Sequence, residues 1–127
     1  FQKITNVSGR QYAFPGTTRR ENNTPTNFTR IKNYPVQGFA TGDVVPVVLL
    51  EIDKRLKNMR SCIVNSVHDS AVIDIHPDEQ KEVINVINDV NDCLNSIIDN
   101  YYGIKMNVPL LLEAKIGPNW LDTKDVI

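Results

Sequence analysis

The residues best placed to do chemistry are His68 and Asp69, which separate two runs rich in β-branched side chains. The runs 61–67 and 70–75 alternate with a period of two, so this separation predicts a tight hairpin with His68 and Asp69 at its tip. A carboxylate held outward by a rigid hairpin is suited to bind a hard cation. The competing interpretation is an Asx turn in which Asp69 bonds only its own backbone. Taken alone, the tetrapeptide Val67-His68-Asp69-Ser70 favours that interpretation.

The turn residues are an unusual choice for folding. Two-residue hairpin turns need positive φ and usually contain Gly or Asn, whereas this one contains His68 and Asp69. Function is a common reason for a local preference to be overridden, although His68 also fits an ordinary polar turn residue. The other histidine, His76, precedes Pro77 and is interpreted as a helix-opening residue without a chemical role.

Amphipathic helices are predicted on both sides of the hairpin. The first begins at about Thr41, with Asp43 as a candidate cap and Pro46 in the first turn, where a missing N–H is tolerated. If this helix instead began near Pro35, Pro46 would kink it, and the sequence leaves both starts open. Its apolar face comprises Val44, Val45, Val48, Leu49, Ile52 and Leu56.

The second helix is predicted to open at Pro77 and to stop at Gly103, since apolar residues recur at spacings of three and four between them. Its apolar face is interpreted as core. The other predicted elements are a hairpin over 1–14 that turns at Ser8-Gly9-Arg10, an exposed loop over 15–32, an edge strand within 108–116 and a polar tail that frays from Leu121.

Composition is that of a folded domain, since 41% of the 127 residues are hydrophobic and 23% are charged. No apolar run approaches the roughly 20 residues that cross a bilayer, so no membrane span is expected. The first residues mix charge, Asn and Ser, and we expect no signal peptide there. Cys62 and Cys93 are too few for a disulfide scaffold or a zinc site by themselves, and they are expected to be reduced and buried.

Charge is distributed unevenly along the chain. Residues 1–32 carry six basic side chains against one acidic side chain, whereas residues 33–127 carry eight against fourteen. Such a basic arm can steer a polyanion to one edge of an acidic body, but on charge alone a solvated terminus is the favoured interpretation. The residues of the arm that could contact phosphates are Arg10, Arg19, Arg20, Arg30 and Lys32.

Four segments occur in a recognisable order. Asn-x-Pro-x-Gln-Gly lies at 33–38, His-Asp at 68–69, Leu-Leu-Leu-Glu at 110–113 and Gly-Pro-Asn-Trp at 117–120. In order and spacing this set resembles the carboxy-terminal part of the palm domain of family A DNA polymerases, over about residues 8–120. The Gly-Pro-Asn-Trp ending is similar to that of phage-type members.

The resemblance implies roles for four residues, and Arg30 is named beside them as a separate candidate. Asp69 corresponds to the second palm aspartate, which helps hold two Mg²⁺ ions that activate the primer 3′ hydroxyl and steady the pyrophosphate leaving group. His68 corresponds to a histidine near the primer end. Asn33 and Gln37 correspond to residues that touch the template–primer minor groove, where hydrogen-bond acceptors are similarly placed in every base pair. Arg30 is a candidate contact to a backbone phosphate.

The chain departs from the family pattern at two positions. Ser70 stands where members usually have Glu, so the third carboxylate is absent and weaker metal binding is expected. The family arginine four residues before Asn33 would fall on Thr29, whereas the basic residue here is Arg30. Without the resemblance, Asn33 would be interpreted as a cap or turn residue and Gln37 as a polar surface residue.

The first palm aspartate and the nucleotide-binding fingers helix have no counterpart in the sequence. The resemblance therefore implies a piece of a DNA-directed DNA polymerase that needs a second polypeptide carrying those parts. Its other implied partners are template–primer DNA and deoxynucleoside triphosphates, and no membrane. A split gene or a proteolytic cut would produce such a chain. We expect a phage protein that acts in the cytoplasm of a bacterial host.

The expected architecture is α+β, with an antiparallel palm-type sheet packed on two long helices. Its expected parts are a hairpin and basic loop over 1–32, a palm core over 33–120 and a tail over 121–127. A non-catalytic nucleic-acid-binding module that uses the basic arm is the alternative function. A metal-dependent nuclease ranks last, since Asp74 lies about five residues of strand from the hairpin tip.

Overall fold

A computed structural model describes residues 3–127, and residues 1 and 2, which belong to the predicted first hairpin, lie outside the described part. The chain divides into two compact units, 1–46 and 47–127. In chain order the elements are β1 Lys3–Thr5, β2 Gln11–Ala13, α1 Phe28–Phe39, a π-helical segment Ala40–Val44, α2 Val45–Leu56, β3 Cys62–Val67, β4 Ser70–Asp74, a 3₁₀ turn Pro77–Glu79, α3 Gln80–Tyr102, β5 Lys115–Ile116 and β6 Lys124–Asp125.

The α+β class with small antiparallel strand pairs and two long helices is confirmed. The expectation of a single sheet was wrong for the described residues, because their strands form three separate two-stranded pairs: β1 with β2, β3 with β4, and β5 with β6. Each pair joins strands that follow one another along the chain. Alternation of side chains within a strand indicates which face is buried, but it does not specify which strands pair.

The first unit contains the amino-terminal hairpin, which is confirmed over the described residues. Ile4 pairs with Tyr12 across the two strands, and Gly9 takes a φ of +87° in the turn, a value that a residue without Cβ adopts readily. Phe14 follows β2 and is buried, with its ring centroid 5.9 Å from that of Tyr34 on α1. The hairpin and α1 are therefore linked by aromatic packing.

The first helix begins at Phe28, before either start that the sequence left open, so the predicted loop over 15–32 was wrong from residue 28 onward. Apolar residues do recur in α1 at a spacing of three, at Phe28, Ile31 and Tyr34, but the surrounding Thr, Asn, Arg and Pro favoured a loop, and none of the helix is buried. Pro35 lies inside α1, and the helix then passes through the π segment before Pro46. Residues 14–27 are a loop that is folded back by an Arg19–Pro25 bridge.

Phe28–Leu56 is a helical stretch of 29 residues that is long and apolar enough to cross a membrane by length and composition alone. The expectation of no membrane span rested on the length of uninterrupted apolar runs, whereas this criterion averages hydropathy over a stretch of helix. Core helices of soluble proteins pass it too. The buried residues of α2 place its carboxy-terminal part in the core of the second unit, and they are Val47, Val48, Ile52 and Leu56.

The second unit has its core on α2 and α3. The predicted helix after Pro77 and its stop at Gly103 are confirmed, since α3 ends at Tyr102 and Gly103 takes a left-handed φ of +67°. Polar contacts also join the helices, because Lys54 Nζ donates to Tyr101 Oη at 2.9 Å and Tyr101 Oη donates to Glu51 Oε1 at 3.1 Å. The buried residues of α3 are Val83, Val90, Leu94, Ile97 and Ile98.

The carboxy-terminal segment differs from its prediction in two ways. Only Lys115–Ile116 of the predicted strand within 108–116 is a strand, and the predicted fraying tail instead forms β6 against it. Before β5 the backbone bonds to a helix rather than to a strand ladder. The N–H groups of Leu110 and Leu112 donate to the side-chain oxygens of Asn95 and Asn91 on α3, at 3.4 and 2.8 Å.

Both cysteines are free, but the prediction that they are buried was wrong for Cys62, which is exposed at the start of β3. Cys93 is half-buried on α3, and its Sγ donates to the Asp89 carbonyl at 2.9 Å. Cys62 lies on a face of the β3–β4 pair that no second layer covers, so its side chain is exposed to solvent. Its apolar composition alone therefore did not determine its burial.

Glu79 fastens the start of α3 to the segment before β3. Its carboxylate accepts hydrogen bonds from Arg60 N at 3.0 Å, Ser61 N at 2.9 Å and Ser61 Oγ at 2.7 Å. The backbone N–H of Arg60, followed by the Ser61 hydroxyl, lowers the pKa of Glu79 to about 2. His76 opens the same helical region through its Nδ1, which accepts from Asp78 N at 3.3 Å, in agreement with the sequence interpretation.

We expect Glu79 to make the unfolding free energy depend on acid. Because the folded pKa is about 2 and the ordinary value is 4.5, the stabilisation is complete above pH 4.5 and is lost as the pH falls toward 2. Glu79→Gln should lower the stability at neutral pH and flatten this dependence, measured by urea unfolding between pH 2 and 7. Glu82→Gln, in the first turn of α3, is the control and should keep the slope. An unchanged slope in Glu79→Gln would contradict the prediction.

Candidate functional site

The connection between β3 and β4 consists of His68 and Asp69, because Val67 and Ser70 are paired across the strands. His68 takes a φ of +54°, in the left-handed region that non-glycine residues seldom adopt. The turn is closed by Ser70 Oγ, which donates to the Val67 carbonyl at 2.9 Å. Earlier in β3, the pairing register shifts between Ile63 and Asn65, a local bulge that increases strand twist.

The Asp69 carboxylate is exposed, and within residues 3–127 it has no hydrogen-bond or ion-pair partner. The Asx turn that the tetrapeptide favoured is therefore absent, and the serine hydroxyl closes the turn instead. An unpaired carboxylate at a hairpin tip retains its oxygens for an external ligand. His68, beside it, is exposed as well. The hairpin thus brings His68 and Asp69 together.

The described residues contain no group of three or more His, Cys, Asp or Glu side chains that could hold a metal ion among themselves. Asp74, the other carboxylate of the hairpin, lies at the far end of β4, opposite Cys62 in the strand register. Asp69 can therefore supply one oxygen ligand, in keeping with the chemistry of a hard cation, but not a complete site.

Helix α1 carries the other predicted residues along one side. Arg30, Asn33 and Gln37 follow the spacing i, i+3, i+7, which aligns them on one face, and all three are exposed. Within the described residues, no hydrogen bond engages their side chains. On a helix, the residues three and four positions before Asn33 are both its neighbours. Arg30 therefore lies next to the place that the family arginine would occupy at position 29.

The most buried polar group of the first unit is one that the sequence interpretation assigned a different role. Asp43 was the candidate cap of the first helix, yet it lies inside the π segment with 3% exposure. Arg10 donates to its Oδ1 through Nε at 2.9 Å and through Nη2 at 2.5 Å. Ser8 Oγ and Asn6 Nδ2 donate to Oδ2 at 2.5 and 3.1 Å.

Burial by itself would raise the pKa of Asp43, but the hydrogen bonds from Arg10, Ser8 and Asn6 outweigh it and hold the pKa below its ordinary value. Asp43 is thus an ionised, paired carboxylate. A sequence signal for this pair does exist, since an Asp among apolar helix positions needs a cation nearby and the hairpin turn offers Arg10. The spacing of 33 residues between them hides the pairing.

The basic arm is divided by these contacts. Arg10 is engaged by Asp43, whereas Arg19 donates to Asn23 Oδ1 at 2.7 Å within the loop and remains exposed. Lys32 Nζ lies 4.7 Å from the centroid of the Phe28 ring. Arg10 is therefore the member of this set most engaged within the protein, because its guanidinium donates to Asp43 and to the Gly42 carbonyl, although half of its side chain is exposed.

Comparison with known proteins identifies the class. The sequence model described as DNA polymerase family A matches residues 2–122. The chain is 33% identical over 94 residues to DNA polymerase I of Caldicellulosiruptor bescii, covering 72% of this chain and 10% of that protein. It is 26% identical over 122 residues to DNA polymerase I of Deinococcus radiodurans, covering 95% of this chain and 12% of that protein.

The chain therefore belongs to DNA polymerase family A, as its motif order indicated. It is also 32% identical over 91 residues to the DNA polymerase of Bacillus phage SP01, covering 71% of this chain and 10% of that protein. The chain spans about a tenth of the length of these relatives. No solved structure matches it.

Proposed function

We propose that this chain is the carboxy-terminal part of the palm of a DNA-directed DNA polymerase that carries out templated nucleotidyl transfer. The observation that carries the proposal is the exposed, unpaired carboxylate of Asp69 at a two-residue turn, in a chain of family A. The proposed substrates are template–primer DNA and deoxynucleoside triphosphates. Their phosphates are the groups that oxygen-bound divalent cations serve.

Asp69 is the proposed ligand to Mg²⁺. When bound, a pair of such ions would promote attack by the primer hydroxyl and offset charge on the pyrophosphate leaving group. The exposed carboxylate fits one position of that pair because Mg²⁺ binds through few carboxylates and retains waters. The remaining protein ligand, the first palm aspartate, would come from a second polypeptide that also carries the fingers. Since Ser70 adds no third carboxylate, we expect weak metal affinity.

The exposed stripe on α1 is the proposed contact to duplex DNA. Side-chain amides at Asn33 and Gln37 can donate to minor-groove acceptors, whose positions are alike in every base pair, and can thus test pairing geometry without reading sequence. Arg30 on the same face would contact a backbone phosphate. His68, next to the metal ligand, is the proposed contact near the primer end. A phage protein in the cytoplasm of a bacterial host remains the proposed setting.

Complementation tests this proposal. The chain is co-expressed with the upstream polymerase segment from the same genome, and the purified mixture is assayed for primer extension in Mg²⁺. We expect the pair to extend a primer and each polypeptide alone to fail. If the pair forms a complex and extends no primer while Asp69 is intact, the proposed function is wrong. If Arg19 and Arg20 alone determine DNA binding and nothing is extended, the chain is a binding module.

A further inference from the structure

The π segment begins three residues after Gln37, the last residue of the α1 stripe that we propose to contact DNA. Gln37 is followed by Gly38 and Phe39, and then Ala40–Val44 has π geometry, closed by a bond from Val45 N to the Ala40 carbonyl. The Gln37 carbonyl accepts from Thr41 Oγ1 at 2.8 Å. Single π turns within α-helices are uncommon and occur often at functional sites, so the contacts that support this one bear on its function.

The hairpin turn supplies that support at Gly42 and Asp43. Pro46 has no N–H, so the Gly42 carbonyl four residues earlier lacks its α-helical donor. Arg10 Nη2 donates to this carbonyl at 3.1 Å while the same guanidinium holds Asp43. A planar guanidinium with several donors is able to satisfy both groups at once. The bulged turn is therefore fixed from outside the helix.

A second contact lies at the other end of the same turn. Tyr12, on β2, lays its phenol against the backbone of Gly38, where an added Cβ would overlap Tyr12 Oη and come 2.8 Å from Cζ. Within the described residues Tyr12 Oη is buried and has no hydrogen-bond partner. A buried hydroxyl without a partner lowers the stability of the fold, so the packing of this ring on the helix offsets a desolvation cost.

We propose that Asp43 and Arg10 are positioning residues, which hold the turn after Gln37 in its bulged geometry and so set the angle at which Asn33 and Gln37 meet the primer–template minor groove. The inference rests on the proposed function, since it needs α1 to contact DNA. Asp43 contacts Asn6, Ser8 and Arg10 of the hairpin and would act on DNA through Gln37. Its loss would thus affect how well correct duplex is recognised, and not the chemical step.

The test is a double-mutant cycle in the complemented polymerase. Asp43→Asn keeps the shape and removes the charge, and we expect it to raise KM for primer–template about tenfold with kcat nearly unchanged. It should also narrow the preference for a paired over a mispaired primer end. In a Gln37→Ala background, the same Asp43→Asn change should add little, because both act through one contact.

Milder and matched variants keep the test decisive. Ser8→Ala removes one donor to Asp43 and should shift KM in the same direction by less, even if Asp43→Asn folds poorly. Glu51→Gln, which disrupts a carboxylate bound to Lys54 and Arg55 on α2, should leave KM unchanged. Additive effects of Asp43→Asn and Gln37→Ala, or a fall in kcat alone, would overturn the inference. Failure of Gln37→Ala itself to affect KM would instead count against the proposed function.

Discussion

Asp69→Asn should reduce primer extension by the complemented polymerase about a thousandfold, because the loss of a metal-binding carboxylate removes several kcal/mol of transition-state stabilisation. Asn is well suited to a hairpin turn, so the fold should be retained. Duplex binding should change by less than about twofold, as expected for an exposed substitution. Extension rates under single-turnover conditions and fluorescence anisotropy with labelled duplex measure the two quantities separately.

Asp74→Asn is the matched control for this variant. Asp74 lies on the same hairpin and is also exposed, but it is the last residue of β4, opposite Cys62 in the strand register and away from the turn. Its substitution should leave both extension and binding unchanged. If Asp69→Asn polymerises at the rate of the unmodified protein, Asp69 is not the metal ligand. If Arg19→Ala with Arg20→Ala abolishes binding while Asp69→Asn has no effect, the binding-module function is favoured.

Gly38→Ala should destabilise the first unit by about 1–3 kcal/mol, the usual cost of forcing atoms into a filled site. Ala is normally the better helix former, so a loss of stability would reveal the Tyr12 ring against the helix. The free energy of unfolding, measured in urea for the full chain, provides the test. Tyr12→Ala combined with Gly38→Ala should recover part of the loss.

Gly42→Ala controls for the general effect of removing a helical glycine. An added Cβ there would lie 3.7 Å from Arg10 Cζ, an ordinary van der Waals contact. It should therefore be neutral or slightly stabilising. Equal stability in Gly38→Ala and Gly42→Ala would show that the Tyr12 ring moves aside without a cost in free energy. The close approach of Tyr12 to Gly38 would then not contribute to stability.

Local signals in the sequence predicted the parts of the fold that depend on local physics. Gly103 ended α3 and Gly9 formed the first turn because a residue without Cβ adopts a positive φ readily, and both a helix end and a tight turn need one. The start of α1 at Phe28 was not predictable in this way. Its apolar residues Phe28, Ile31 and Tyr34 stand among Asn, Thr and Pro that favour a loop, and the aromatic contact between Phe14 and Tyr34 supports the helix from another element.

Non-local pairing accounts for the remaining differences. The strands β5 and β6 are two residues each, too short for an alternating pattern to register, and so the tail was predicted to fray. For the candidate site, spacing predicted the turn that presents Asp69, but not the helix that carries Asn33 and Gln37, which begins at Phe28. Asp43 was assigned as a cap because its partner Arg10 is distant in sequence, and only the folded chain brings the two together.

The left-handed backbone conformation of His68 lowers the stability of the hairpin, whereas the His68 side chain is proposed to serve polymerisation. A residue with a Cβ in this conformation costs about 1–2 kcal/mol, which Gly would relieve and Asn would lessen. Directed evolution for heat resistance would therefore favour replacement of His68, and with it the imidazole that we propose to lie near the primer terminus would be lost. Thermostable descendants that have exchanged this histidine should melt higher yet synthesise more slowly.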